Sequence, residues 1–236
     1  MFPRLLAAIS LTFALLFTSC ATQQGMAGLE NADSVSKSTV PVYLLTVTLK
    51  NNSVAAYQPK LVAVKLEKHT GPESSKIILI EADQLSKNES LSPAIGNSYL
   101  LRMAIAPGDY TILGLTCIGQ SMFTCGDFFT PLKMHLAPAA PGVYYLGHID
   151  ATVRERKEGE FRASGNLLPT QEQRIIGAFG GTFDVEISDQ WETDSAKFQT
   201  KFPALNGARI QKDILPPFSR AQVQQWWENT GFQQTF

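Results

Sequence analysis

From Pro41 to Ser188 the sequence falls into segments in which apolar side chains recur at every second position, the period of strands that bury one face. In Val42–Leu49 the residues Tyr43, Leu45, Val47 and Leu49 share a face, and Asn51-Asn52-Ser53 ends the run. Leu61–Leu66 repeats the alternation with Val62, Val64 and Leu66 inward, and His69-Thr70-Gly71-Pro72 has the composition of a turn. Ile77–Ile80 makes a third strand. Leu85–Gly96 reads as a loop, and Tyr99–Ile105 and Tyr110–Leu115 as further strands. Phe123, Phe128, Phe129, Leu132 and Met134 mark either a core strand or a ligand-facing loop. After Ile149 charges alternate from Asp150 to Arg162 about Glu158-Gly159, which suits a hairpin projecting into water. Gly177–Gly181 reads as a flexible loop, and Thr182–Ile187 alternates as the last strand. The expected fold is mainly β, a sandwich of about eight or nine strands over residues 40–188.

Past Ser188 the period lengthens to that of helices. Trp191, Phe198 and Phe202 lie on one helical face, which Ser188 or Asp189 can cap and Pro203 can end. Beyond Pro216-Pro217, Ser219 with Gln222 forms a capping box, Val223, Trp226 and Trp227 supply the apolar side, and Gly231 closes the helix. Two C-terminal helices, within an extension over 189–236, are therefore expected to pack on the sandwich. The same aromatic anchors would also serve a partner-binding helix.

The first twenty residues include Arg4, an apolar run Leu5–Phe17 too short to span a bilayer, and the small exit Thr18-Ser19. That arrangement marks residues 1–19 as a secretory signal. Because Cys20 follows Leu16-Phe17-Thr18-Ser19, the region resembles the lipobox of bacterial lipoproteins. The resemblance implies that Cys20 becomes the lipid-bearing first residue of the mature chain. Ala21, standing where an Asp would imply inner-membrane retention, points to the outer membrane. Residues 20–39, polar and without hydrophobic period, read as a flexible tether.

Two interior phrases carry a second resemblance. Pro107-Gly108-Asp109-Tyr110-Thr111 suits a type II turn, with Gly108 accepting positive φ. It resembles the turn that joins two strands of one hairpin in transthyretin-like and carboxypeptidase-regulatory-like, Ig-like β-sandwiches. Pro141-Gly142-Val143-Tyr144-Tyr145-Leu146-Gly147 is similar to a strand of several families of bacterial lipoproteins. These resemblances imply no catalytic residue.

Composition narrows the function further. A net charge of −1 with acids and bases interspersed leaves no basic field for nucleic acid. With Cys20 assigned to lipid, Cys117 and Cys125 remain as a pair in an oxidising setting, and a disulfide between them is expected. Two reduced core thiols, or a metal site, are the rival readings, and zinc would need ligands that the sequence does not place nearby. His69, His135 and His148 are scattered, and no phosphate loop, zinc-protease helix, calcium loop or dinucleotide fingerprint occurs. No cofactor and no metal are implied.

The sequence therefore points to a non-catalytic, lipid-anchored envelope protein that meets an envelope protein partner or serves envelope structure, with Arg156 in the polar hairpin as a contact. An alternative is a small-ligand or glycan module with a cleft lined by Phe123, Phe128 and Tyr144. A third is a hydrolase using His148 and Asp150, which alternate onto one face, although no Gly-x-Ser-x-Gly elbow supplies a nucleophile.

Overall fold

A computed structural model describes residues 21–29, 35, 38–90, 96–137, 139–165 and 170–229. The signal segment 1–19, Cys20 and the helix-closing Gly231 lie outside the described residues. The fold is mainly β, built from two mixed sheets with three helices.

The strands are β1 (Thr22–Gly25), β2 (Val42–Asn51), β3 (Lys60–Gly71), β4 (Ser74–Glu81), β5 (Lys87–Ser90), β6 (Asn97–Ala104), β7 (Asp109–Gln120), β8 (Cys125–Leu136), β9 (Val143–Glu155), β10 (Gly181–Ser188) and β11 (Ile210–Lys212). The helices are α1 (Gln171–Ile175), α2 (Trp191–Lys201) and α3 (Arg220–Asn229). One sheet has the order β1-β4-β3-β7-β8, the other β10-β9-β2-β6-β5, with β11 beside β9.

Tyr43, Leu45, Val47 and Leu49 point from β2 into one apolar cluster shared by both sheets, as their spacing predicts. The alternate residues Val42 and Leu44 are buried too. They meet Phe198 and Phe202 of the α2 region in a second cluster on the outer face of the same sheet. β2 is thus covered on both sides, which is why its sequence reads as a continuous apolar run. Arg102 on β6 joins that outer layer. Its guanidinium pairs with Asp83 and lies 4.6 Å from the centre of the Phe202 ring, so it ties the β4–β5 connection to the end of α2.

Trp191 and Phe198 fall on α2 as predicted, but the N-cap position is Gln190, whose side chain makes no cap bond, and Asp189, one residue before it, accepts from the Trp191 N–H at 3.1 Å. In α3, Val223 and Trp227 are buried, and the Trp227 ring lies 6.4 Å from that of Phe129 and 6.1 Å from that of Phe161. The Ser219 hydroxyl accepts from the Gln222 N–H at 3.4 Å, half of the expected box.

Several sequence expectations are corrected. Residues 22–25 do not belong to a loose tether: they add β1 to the edge of the first sheet, in parallel with β4. The following residues are fixed as well, since Ala27 N–H donates to Arg102 O at 2.8 Å and Leu29 is buried. Val62 faces solvent, because a register shift between Leu61 and Ala63 puts Leu61 inward in its place. The segment expected as a loop from 85 to 96 contains β5. Together β1, β5 and β11 raise the strand count among the described residues to eleven.

Pro107-Gly108 does not close a hairpin. It carries the chain from β6 in one sheet to β7 in the other, and Gly108 is not among the glycines at positive φ. Nor does the polar segment after Asp150 fold back on itself as a hairpin. β9 takes β10 as its antiparallel partner, while the chain turns at Gly159 (φ 80°) and buries Phe161 and Ala163. The apolar residues on either side of Arg162 pull this stretch onto the core. Phe129 N–H then bonds Ala163 O, and Ala163 N–H bonds Gly181 O, each at 2.8 Å.

Candidate functional site

A single backbone irregularity assembles a buried group of titratable side chains. β9 runs parallel to β2, with Tyr145 opposite Leu44 but His148 opposite Thr46, so Leu146 and Gly147 together face Leu45. Gly147 supplies the bulge with φ of 113°, a conformation that a side chain would strain, and a Cβ there would lie 3.0 Å from Ser188 O. In a regular strand, residues three apart point to opposite faces. The bulge instead turns Tyr145 and His148 to the same outer face, under α2.

Both reach Asp194, a fully buried carboxylate on α2. The Tyr145 hydroxyl donates to Asp194 Oδ2 at 2.8 Å, and His148 Nδ1 lies 3.0 Å from the same oxygen. Lys197 Nζ approaches Asp194 Oδ1 at 3.2 Å. On the other side of the imidazole, His148 Nε2 is 2.9 Å from Thr48 Oγ1 and 3.4 Å from Asp150 Oδ1.

Burial alone would lower the His148 pKa, but hydrogen bonds to Asp150 and Asp194 outweigh it and raise it from 6.5 to about 9. Burial likewise works to raise Asp194, yet its hydrogen bonds, those from His148 and Tyr145 among them, bring it down to about 2. Thr48, His148 and Asp194 are spaced like a nucleophile, base and orienting acid. The two carboxylates beside His148 favour its charged form. The arrangement is chemically a charged clasp between sheet and helix.

The sequence paired His148 with Asp150, and the structure does bring them together. Asp194 was missed, and its mark was present. It sits three residues after Trp191 and four before Phe198, an acid on the apolar face of a helix.

The remaining predicted residues do not converge. Phe123 and Met122 form the two-residue tip between β7 and β8, where Ser121 N–H bonds Thr124 O at 2.8 Å, and they are 91% and 87% exposed. Phe128 is fully buried in the core, so it lines no cleft. Tyr144 lies near the start of β9, at the other end of the sandwich, with its ring 5.7 Å from that of Tyr43. Arg156 donates to Glu160 O at 2.9 Å, beside the turn that replaces the hairpin.

The expected disulfide is not formed. Cys117 is buried opposite Phe128, while Cys125 is exposed opposite Gln120. Three ladder positions separate them, about 10 Å at ~3.3 Å per residue, and they point to opposite faces; a bridge needs Cα atoms within about 7 Å. Burial also pushes the Cys117 thiol pKa up strongly.

The end of the sandwich that carries the tip has further features. α1 lies beneath the hairpin, where Gly126 leaves room for Ile176; a Cβ at 126 would come within 2.7 Å of Ile176 Cδ1. A cleft of about 510 Å3 opens there, lined by Asn52, Ser53, Val54, Arg154, Glu155 and Arg174. Arg154 is engaged by Glu160 and Asp184. The Arg174 guanidinium lies 4.9 Å from the centre of the Phe179 ring, and that of Arg162 lies 4.1 Å from it.

Among the described residues, no His, Cys, Asp and Glu side chains are grouped in threes able to hold a metal ion, and no helix is long and apolar enough to cross a membrane. Comparison of the chain with protein-family models, curated proteins and solved structures gives no match.

Proposed function

We propose that this chain is a lipid-anchored protein of the bacterial outer membrane, non-catalytic, whose Ig-like or transthyretin-like sandwich presents the β7–β8 hairpin tip to another envelope protein. The anchor rests on the lipobox resemblance at Cys20. The observation that carries the interaction is the exposure of Met122 and Phe123 side by side at a tight turn, in a chain whose Phe128, Phe129, Phe161, Phe183 and Phe198 are all fully buried. Two adjacent large apolar side chains held in water cost solvation and support no core, which supports reading them as a contact anchor.

A double substitution, Met122→Asp with Phe123→Asp, tests this. Both positions lie outside the core, so stability should change by no more than about 0.5 kcal/mol. In detergent extracts of the membrane, the unaltered protein is expected to migrate as an assembly larger than one chain, and the double variant as a single chain. Identical migration of the two would contradict the proposal.

A second reading has its own observation. The cleft lined by Asn52, Ser53, Arg154 and Arg174 has a volume in the range of small-molecule sites, roughly 300–1,000 Å3. It supports a small-ligand or glycan module sited at that cleft and not at Phe123, Phe128 and Tyr144. Screening of glycans and small anions by melting temperature, with Arg174→Ala as control, tests it; uniform melting across the panel would count against it.

A further inference from the structure

We infer that β1 fixes the sandwich upright on the bilayer, with the β3–β4 turn against the lipid headgroups and the Met122–Phe123 tip held away from the membrane, facing a partner that stands off the surface. This rests on the anchoring of Cys20 proposed above.

The strand register carries the argument. Thr22 is opposite Ile78 on β4, Ile78 is opposite Leu66 on β3, Leu66 is opposite Ile112 on β7, and Ile112 is opposite Met134 on β8. Thr22 therefore lies near the start of β7, level with Ile112. β1 parallels β4, and β3 is antiparallel to both β4 and β7, so β1 and β7 run in the same direction. Following the eleven residues from Ile112 to the tip at Phe123 covers up to about 36 Å at ~3.3 Å per residue. Cys20 precedes Thr22 by two residues, a reach of at most about 7 Å. The lipid is thus leashed to the end of the sheet opposite the tip.

The leash has little slack on its folded side. Beyond β1, the Gln24 side-chain amide donates to Ala104 O at 2.5 Å, Ala27 N–H donates to Arg102 O at 2.8 Å, and Leu29 is buried in the outer apolar layer. An anchor followed by a true tether would let the body tumble; here the first turn of folded chain begins within two residues of it.

The chemistry of the two ends agrees with this orientation. The end nearest the anchor is polar, with Lys68, His69, Glu73, Lys76, Asp109 and His135 around the β3–β4 turn and the start of β7. Of these, Lys68 and Lys76 can meet anionic headgroups. The apolar pair Met122 and Phe123 is at the far end, out of reach of the bilayer that holds the anchor, so its occupant is an apolar recess on a protein about 36 Å above the lipid surface.

Fluorescence quenching on vesicles tests the orientation. The full lipidated protein, in a Cys125→Ser background, carries either Glu73→Cys or Phe123→Cys labelled with bimane. Cys117 is fully buried and stays unlabelled. The proteins are reconstituted into phosphatidylcholine–phosphatidylglycerol vesicles that contain brominated acyl chains. Quenching at position 73 with none at 123 is the expected result. Quenching at 123, equal quenching at both, or quenching at neither in protein that floats with the vesicles would overturn the orientation alone. Failure to float would overturn the anchoring itself, and the inference with it.

Discussion

His148 and Asp194 lie 46 residues apart in the chain and 3.0 Å apart in space, one on a central strand and the other on the helix that covers it. The pair closes only because Gly147 shifts the parity of β9, and it is buried on both sides, with Asp194 fully enclosed. A charge pair this deep is a weak source of net stability against an apolar substitute, yet removing one partner strands the other.

Asp194→Ala should therefore lower stability by about 3 kcal/mol, since it leaves the buried imidazolium with Asp150 as its remaining carboxylate. Urea denaturation reads the loss. Adding His148→Ala to that variant should cost less than it does in the unaltered protein, the coupling expected of two groups in contact.

The pair also sets a pH window. His148 has its pKa raised in the folded state, from 6.5 to about 9, so its contribution is complete below 6.5 and is lost as pH rises through about 9. Asp194 has its pKa lowered, from 3.8 to about 2, so its contribution is complete above 3.8 and is lost as pH falls towards about 2. Melting temperature should be highest between those limits and fall on the alkaline side. In His148→Gln the fall between about pH 6 and about pH 10 should shrink, and an unchanged alkaline slope would mean that another group is responsible.

Gly147→Ala tests the bulge directly. Its φ of 113° and the approach of Ser188 O leave no relaxed position for a methyl group, so the substitution should cost about 1–3 kcal/mol. It should also loosen α2 from the sheet, seen as faster amide exchange in Trp191–Lys201 than in β7.

Much of this fold is legible in the sequence because burial there follows a period. Tyr43, Leu45, Val47 and Leu49 declare their shared face, and Trp191 and Phe198 declare the helix that covers the opposite one. What is not legible depends on partners far along the chain. Val62 alternates correctly and still faces water, because a bulge opposite β7 shifts its register. Thr22–Gly25 has no apolar period, and it becomes a strand because the open edge of β4 satisfies its backbone. The Pro107-Gly108 turn reads like a hairpin corner, but which sheet receives the next strand is decided by the core and not by the turn. In the clasp, His148 and Asp150 were visible, whereas Tyr145 joins them through Gly147, and a glycine in a strand does not say which way the chain will bulge.

The most direct measurement of the central proposal is photocrosslinking in intact cells, with p-benzoylphenylalanine placed at position 123 or, as a control at the other end of the sandwich, at position 144. A discrete crosslinked protein species is expected from 123, lost when Met122→Asp is added, and no such species from 144. Absence of any crosslink from 123, or the same species from both positions, would contradict it.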